Sequence, residues 1–284
     1  MLTPVVHFLF RLFSSGPLPL LHGLGSLLGW LTFVLSATYR RRLWAHARLA
    51  GVSRVTALMA APEAGKLVAE LPRLWLGRPV RVHWEGAHHI ETAQARGRGM
   101  LLLTPHLGCF EVAAQAYAQR FGEQKPITVL FRPARQPWLR DLVAKARQRP
   151  GLQTAPTTLA GVKQLIKALK AGEAVGLLPD QVPPQGQGVW ALFFDRAAYT
   201  MTLSARLAHA ARADVLLVWG ERLPWGRGFL VHVRPYDETA WGPLSTDADA
   251  AARQINQAME SMVRACPHQY LWSYDRYKSP VRHP

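Results

Sequence analysis

Cysteine is nearly absent from this sequence of 284 residues, which contains only Cys109 and Cys266. Two thiols cannot build a disulfide framework, and the chain has no Cys-x-x-Cys pair and no Cys/His ligand set typical of a metal site. A Gly-x-Ser-x-Gly motif is also missing, which disfavours a serine hydrolase. We therefore expect a protein of a reducing compartment, and the sequence indicates neither a metal nor a cofactor.

Acidic residues are also scarce, because 18 Asp and Glu face 34 Lys and Arg, and the net charge is +16. With 49% hydrophobic residues the chain is not globally disordered. Such an excess of positive charge calls for an anionic partner, which could be nucleic acid, an anionic membrane, or an acidic substrate or protein. Ten tryptophans and a long apolar beginning favour lipid over nucleic acid.

Charged residues are missing altogether between residues 12 and 39. Within this stretch, residues 18–36 are long enough to span a bilayer. The arginines at 40–42 follow directly, which places the downstream side in the cytoplasm. No small-residue cleavage site follows, so the segment is not typical of a signal peptide. Several glycines within it leave an interfacial or buried hairpin open as the alternative to a span.

Segments typical of strands and helices alternate from residue 80 onward, after a basic helical region at 40–76 with an expected break near Pro62. Strands are predicted at residues 80–84, 100–104, 127–131, 174–178, 214–219 and 228–234, and helices at 109–120, 137–147, 158–170, 200–212 and 246–265. This alternation predicts an α/β fold with a central, mostly parallel sheet flanked by helices. Reactive side chains are then expected where strands end and helices begin.

His106 stands at such a junction, within the sequence LLLTPHLGCFEVA of residues 101–113. An imidazole at the end of a strand faces a cleft and can take a proton from an alcohol. Glu111, on the helix that follows, can hold one ring nitrogen and stabilise the imidazolium. The spacing alone also suits a helix-capping acid near a histidine with other partners. Cys109 is a further candidate nucleophile, although a free cysteine is more often a small buried hydrophobe.

A basic segment follows the strand at 127–131 and contains six cations, Arg132, Arg135, Arg140, Lys145, Arg147 and Arg149, against the single acid Asp141. Arg132 comes directly after the strand, so we expect it in the same cleft as His106, where a guanidinium suits phosphate. The remaining cations can form a docking face for an anionic headgroup or acidic carrier, or a solvated helix face.

Asp180 and Gln181 end the apolar strand at 174–178 in the sequence GLLPDQ. Asp180 can bind substrate hydroxyls or support the basic cluster, or it is a plain turn residue.

These motifs together resemble the late acyltransferases of lipid A biosynthesis, the lauroyl- and myristoyl-transferase group within the lysophospholipid acyltransferase superfamily. The resemblance covers nearly the whole chain and rests on the apolar start with its basic followers, His106-x4-Glu111, Phe131-Arg132-Pro133, Gly161-Val162, Leu178-Pro179-Asp180-Gln181, Ala191-Leu192-Phe193-Phe194 with Thr200, and the closing segment 267–278 (PHQYLWSYDRYK). Where the family usually has Gly after the Phe-Phe pair, this chain has Asp195.

The resemblance implies a fold like that of glycerolipid acyltransferases, with a membrane anchor at residues 1–38 and a catalytic domain at 39–284. It implies transfer of a fatty acyl group from acyl carrier protein, or from a coenzyme A thioester, to a hydroxyl of an anionic lipid at the cytoplasmic face of a bacterial inner membrane. His106 is then the general base with Glu111 as its partner, and Arg132, Arg149 and Asp180 bind substrate.

Three alternatives remain open at this stage. The acceptor could be another lipid, such as an ornithine lipid or a glycolipid, instead of a lipid A precursor. The chain could be a basic, membrane-bound binding module without catalysis, which would leave His106 and Glu111 unexplained. It could also be an esterase or thioesterase with water as the acceptor, because the same base can activate water.

Overall fold

The computed structural model describes residue 8 and residues 10–131 and 149–281. Its helices are α1 (Leu18–Leu35), α2 (Ala37–Leu49), α3 (Arg54–Leu76), α4 (Ala87–Ala95), α5 (Phe110–Phe121), α6 (Leu159–Lys170), α7 (Leu203–Ala211), α8 (Glu238–Trp241) and α9 (Ala248–Ala265). Its strands are β1 (Val82–Glu85), β2 (Met100–Leu103), β3 (Ile127–Phe131), β4 (Leu152–Pro156), β5 (Ala174–Leu177), β6 (Gly188–Phe193), β7 (Arg196–Met201), β8 (Asp214–Arg222) and β9 (Phe229–Pro235).

Seven of these strands form the central sheet, in the order β1-β9-β8-β2-β5-β3-β4. Strands β8, β2, β5, β3 and β4 run parallel to one another, whereas β9 is antiparallel to β8 and β1 is parallel to β9. The predicted α/β fold with a mostly parallel central sheet is therefore confirmed. Because β2 and β5 are adjacent and parallel, the residues that follow them meet at one edge of the sheet.

Strand β2 lies in the middle of the sheet, and all four of its residues are buried. Leu101 and Leu103 join the hydrophobic cluster on one face of the sheet, whereas Met100 and Leu102 join the cluster on the other. This division follows from the alternation of side chains along a strand. A strand covered on both faces is continuously apolar, as the sequence around residue 101 already indicated.

A hairpin of β6 and β7 replaces the start of one predicted helix, since Thr200 belongs to β7 and α7 begins at Leu203. Its two-residue turn consists of Phe194 and Asp195, with φ angles of 46° and 58°. A two-residue hairpin of this kind requires positive φ at both positions, and aspartate tolerates it better than most residues. Asp195 therefore occupies a turn position that glycine would also suit, as the resemblance led us to expect.

The local structure differs from the prediction near Pro62, at β4 and at α4. The expected break near Pro62 is wrong, because α3 continues through Pro62 and the chain breaks instead around Gly51, which has a φ of 71°. Strand β4 and helix α4 were not predicted. The predicted basic helix at residues 137–147 lies outside the described residues.

Helices α1 and α3 pack closely against each other through glycines. A Cβ atom on Gly25 would lie 2.6 Å from Lys66 Cα, and one on Gly29 or Gly65 would overlap backbone atoms of the facing helix. Helix α1 is also the one helix of the described residues that is long and apolar enough to cross a membrane by length and composition. The packing brings the backbones of α1 and α3 into contact.

We expect Gly29→Ala to destabilise the protein, because the new methyl group would overlap the carbonyl oxygen of Ala61 and push α1 away from α3. Gly23→Ala is the matched control on the same helix, since a Cβ there meets nothing within 4 Å. Alanine is favoured over glycine in a helix by about 1 kcal/mol, so the control should be neutral or stabilising. Thermal melting in detergent micelles measures both, and equal melting temperatures would refute the close packing.

Candidate active site

His106 follows β2 at the carboxyl edge of the sheet, in a loop that other segments hold in place. The carbonyl of His106 accepts a hydrogen bond from Leu271 N at 3.1 Å, and Gly108 N donates to the carbonyl of Gln269 at 3.0 Å. Gly108 has a φ of 57°, and a Cβ there would overlap the carbonyl oxygen of Gly220. The glycine therefore allows the loop to pass close to β8.

Asp180 holds both the ring and the backbone of His106. Its Oδ1 lies 2.7 Å from His106 Nδ1, and its Oδ2 accepts the backbone N–H of His106 at 2.9 Å. Tyr270 Oη also donates to Oδ2 at 3.3 Å. The Asp180 side chain is 2% exposed, so it contacts His106 from inside the protein.

Burial alone would raise the pKa of Asp180, but the charge of His106 and its hydrogen bonds outweigh burial and hold the pKa below its usual range. The carboxylate is therefore ionised and can only accept hydrogen bonds. Nδ1 of a neutral His106 must then carry the proton, which leaves the lone pair on Nε2. This tautomer is the form that a general base requires.

The other ring nitrogen, Nε2, accepts a hydrogen bond from the amide nitrogen of Gln181 at 2.9 Å. The ring of Phe110 packs edge-on against the imidazole, with centroids 4.9 Å apart. The sequence Asp180-Gln181 thus supplies one partner to each nitrogen of the ring.

The expected contact between Glu111 and a ring nitrogen of His106 is wrong, since Asp180 and Gln181 occupy both nitrogens. Glu111 is buried in the first turn of α5, and its Oε2 accepts a hydrogen bond from Trp75 Nε1 at 3.3 Å. Its place at the amino end of α5 also favours a carboxylate.

Arg132 lies outside the described residues, so its expected place in the cleft stays a prediction. Arg149 is placed beside the end of α3, where Nη2 donates to the carbonyl of Trp75 at 3.0 Å and Nη1 to Gln115 Oε1 at 3.1 Å. Burial lowers the pKa of Arg149.

A buried ion network lies beneath the loop, which sequence reasoning did not find. Arg222, the last residue of β8, donates from Nε and Nη2 to the carboxylate of Glu70 at 2.9 and 2.7 Å, and from Nη2 to the carbonyl of Gly108 at 2.8 Å. His22 of α1 lies 3.1 Å from Glu70. The network therefore joins α1, α3, β8 and the His106 loop.

Burial opposes the charge of Glu70, but Arg222 and His22 outweigh it and lower the pKa of Glu70 from 4.5 to about 2. A depressed carboxyl pKa stabilises the fold above the pKa of the unfolded chain. This contribution disappears as the pH falls from about 4.5 towards about 2.

The closing segment that follows α9 packs against the His106 loop. Leu107 pairs with Tyr270 in an antiparallel bridge, and the Gln269 side chain bonds both the N–H and the carbonyl of Arg222 at 2.9 and 3.1 Å. The buried Arg276 donates to the carbonyl of Tyr199 and to Thr200 Oγ1, at 2.8 and 2.7 Å. These contacts hold the closing segment against the His106 loop.

Neither cysteine has the environment of a nucleophile. Cys109 is completely buried, and burial together with Glu70 raises its thiol pKa well above the usual value. Burial also raises the pKa of Cys266 to about 12. Both thiols are therefore protonated and enclosed near neutral pH. In the described part of the chain, no cluster of three or more His, Cys, Asp or Glu side chains could hold a metal ion.

An apolar cavity of about 40 Å³ lies between α5 and the sheet, close to His106. Its lining consists of Leu102, Thr104, Phe110, Ala113, Ala114, Ile127, Val129, Gly176, Leu177, Leu178 and Val218. A larger, open groove of about 1100 Å³ lies at the opposite edge of the sheet, against Arg98, Asp214 and Arg234. Because His106 is at the carboxyl edge, the small apolar cavity is the one relevant to the site.

Comparison with known proteins decides the family, since the model of the bacterial lipid A biosynthesis acyltransferases matches residues 70–279. The chain belongs to this family. The match begins at Glu70 and includes His106, Asp180, Arg222 and the closing segment. Glu70, Arg222 and Gly108 of the network therefore lie within the matched region, whereas His22 lies outside it.

Three relatives illustrate the similarity. The chain is 30% identical to the lipid A biosynthesis lauroyltransferase of Escherichia coli K12 over 68% of its own length and 61% of that protein. It is 26% identical to a lipid A biosynthesis acyltransferase of Haemophilus influenzae, over 68% of the chain and 58% of that protein. It is also 26% identical to the lipid A biosynthesis palmitoleoyltransferase of Escherichia coli K12, over 76% of the chain and 69% of that protein. The chain thus spans about three fifths of the first two relatives.

We expect Arg222→Met to lower the free energy of unfolding by about 3–5 kcal/mol, because it leaves the buried Glu70 without its cation. Arg120→Met is the matched control, since Arg120 pairs with Glu91 at the exposed surface and such pairs contribute about 1 kcal/mol or less. Denaturant unfolding in micelles compares the two. If Arg222→Met fails to fold while Arg120→Met folds, the loss of stability is larger still and supports the prediction. Equal, small losses of unfolding free energy in both variants would contradict it.

Proposed function

We propose that this protein is an acyltransferase that moves a fatty acyl group from a thioester donor to a hydroxyl of a lipid A precursor, with His106 as the general base. The observation that carries the proposal is the pairing of His106 with the buried Asp180, which leaves the lone pair on Nε2. Membership of the lipid A biosynthesis acyltransferase family supports the substrate class.

In the proposed reaction, the acceptor hydroxyl approaches Nε2 and loses its proton to that nitrogen as its oxygen attacks the thioester carbonyl. A new C–O bond forms, and the tetrahedral intermediate then collapses with cleavage of the C–S bond. The imidazolium returns its proton to the leaving thiolate, so the enzyme ends in its initial state. Asp180 keeps the ring in the required tautomer and stabilises its positive charge meanwhile.

Glu111 is proposed as the second carboxylate of the site. It cannot orient the imidazole by a hydrogen bond in this structure, so its contribution to the imidazolium is a field effect from a buried position. Arg132, which follows β3 directly, is proposed to bind a phosphate of the acceptor. Arg149 already bonds protein acceptors, so we propose a supporting part for it in substrate binding.

The proposed donor is acyl carrier protein, whose acidic surface would suit a chain of net charge +16, and a coenzyme A thioester is the alternative. We place the protein at the cytoplasmic face of the inner membrane, because the arginines at 40–42 beside the apolar α1 favour the anionic lipids of that leaflet. An ornithine lipid or glycolipid acceptor remains the alternative acceptor class.

The apolar cavity beside His106 is proposed to receive the acyl chain. Its wall on the α5 side includes the small residues Ala113 and Ala114 beside Phe110, and Gly176 lies in its wall on the sheet side. At about 40 Å³ it has to widen for a long chain, and small side chains leave space for that. The residues that line it should then set the length of chain accepted.

We expect His106→Ala and Asp180→Asn each to lower turnover by about 10²-fold or more, as loss of a general base or of its orienting carboxylate does. The double variant should be scarcely worse than His106→Ala alone, because the two residues act as one unit. Glu111→Gln should cost less than Asp180→Asn. Turnover of acyl carrier protein thioester with a lipid A precursor, normalised to folded protein, provides the measurement.

Glu91→Gln is the control for these changes, since it makes the same acid-to-amide replacement in an exposed ion pair with Arg120, away from the ring. It should turn over normally. Near-normal turnover of folded His106→Ala would refute the proposed base, and a larger loss from Glu111→Gln than from Asp180→Asn would refute the assignment of the partner. Release of free fatty acid without acylated lipid would identify a thioesterase instead.

We expect Ala114→Leu to shorten the preferred acyl chain, because the larger side chain fills the cavity beside His106. One methylene in an apolar pocket changes kcat/KM by about 10–200-fold, so the ratio of short-chain to long-chain kcat/KM should rise within that range. Gln119→Leu is the control on the exposed face of the same helix. An unchanged ratio in folded Ala114→Leu would place the acyl chain elsewhere.

A further inference from the structure

The outward face of α1 is apolar along its whole length. Leu27 is 66% exposed and Leu35 is 74% exposed. The other members of this stripe are also exposed and are Leu20, Leu24, Leu28, Leu31 and Val34. These seven positions recur at helical spacing and therefore lie on one side of the helix, opposite the buried Leu21, His22, Gly25 and Gly29. Such a continuous stripe needs an apolar partner.

The inward face of α1 prevents the helix from crossing a bilayer by itself. Going along α1, His22 contacts Glu70, Gly25 contacts Lys66 and Gly29 contacts Ala61. Helix α3 therefore lies beside α1 throughout, and it carries charged residues over that same length, namely Glu63, Lys66, Glu70 and Arg73. Crossing the hydrocarbon core would take these charges with it, at a cost of several kcal/mol each.

Cationic and aromatic side chains border the stripe at both ends. Arg11 is exposed before α1, and the arginines at 40–42 follow it. Trp225 is 87% exposed in the turn at Pro224–Gly226, and Gly226 packs against Pro19 at the start of α1. Cations favour anionic headgroups, and tryptophan favours the interface between headgroups and hydrocarbon.

From these observations we infer that α1 lies in the plane of the membrane, with its leucine stripe in one leaflet and both of its ends on the same side. The occupant of the stripe is the surface of an anionic bilayer. This inference concerns how the protein attaches to the membrane. It rests on the proposed function only in assuming that the lipid substrate comes from the same bilayer. The buried path from His22 through Glu70 and Arg222 to Gly108 then fixes the His106 loop relative to the membrane.

The arrangement can be tested with two single-cysteine variants of the full chain, Ser15→Cys before α1 and Thr38→Cys after it, both at exposed positions. A membrane-impermeant maleimide is applied to intact spheroplasts and to inside-out inner-membrane vesicles. The unmodified chain is the control, because Cys109 and Cys266 are buried and should not react. We expect both ends to react from the same side, and labelling from opposite sides would overturn the inference.

A second measurement tests the stripe itself. The double variant Leu27→Glu/Leu31→Glu should bind vesicles of phosphatidylglycerol and phosphatidylcholine at least about tenfold more weakly, since each leucine contributes apolar burial. Leu159→Glu makes the same change at a residue that is 72% exposed on α6 and should bind normally. Unchanged binding with conversion of a dimer to a monomer would identify the stripe as a protein interface and refute the inference. Neither measurement requires acyl transfer, so both are independent of the proposed reaction.

Discussion

The guanidinium of Arg222 is the interaction on which the arrangement of the site depends. It is buried, carries a full charge, and is neutralised by a bidentate contact with Glu70. A charge in such a position is tolerated only when its partners are fixed. The end of β8, helix α3 and the carbonyl of Gly108 must therefore keep their positions together. Displacing any one of them would leave a desolvated charge or carbonyl without its partner.

This constraint explains how a short loop can present a histidine reproducibly. The loop around His106 has little regular structure, yet Leu271 N–H donates to its backbone, and the carbonyls of Gln269 and Gly220 accept hydrogen bonds from it. Asp180 adds a bond to its backbone as well as to its ring. Positioning by such surrounding bonds is what proton transfer requires, because small displacements lengthen the path of the proton.

The sequence was sufficient to predict much of this fold, because hydrophobic periodicity depends on nearby residues. Strand β3 was predicted at its observed bounds, and the junction after β2 drew attention to His106. The hairpin was missed at Thr200, where the residue is buried and bonded by Arg276 and Asn256. A strand whose partners come from distant segments has no local pattern that distinguishes it from the start of a helix.

The partner of His106 likewise comes from a distant segment, which local sequence patterns do not reveal. Glu111 was predicted as the partner because it lies near His106 in the sequence, whereas Asp180 comes 74 residues after His106. Asp180 reaches the ring only because β5 lies beside β2, and this order becomes known only once the sheet is formed. The apolar strand ending in Asp180 was nevertheless a usable signal, since adjacent parallel strands bring their carboxyl ends together. The ion network of Glu70 and Arg222 left no such signal.

The hydrogen bond between Gln181 and His106 Nε2 has a consequence for the order of events at the site. Nε2 is the nitrogen with the lone pair, and here the amide of Gln181 uses that lone pair. In the proposed reaction, an acceptor hydroxyl can therefore reach Nε2 only by displacing the amide of Gln181. Exchange of one hydrogen bond for another costs little when the newcomer is a well-placed hydroxyl.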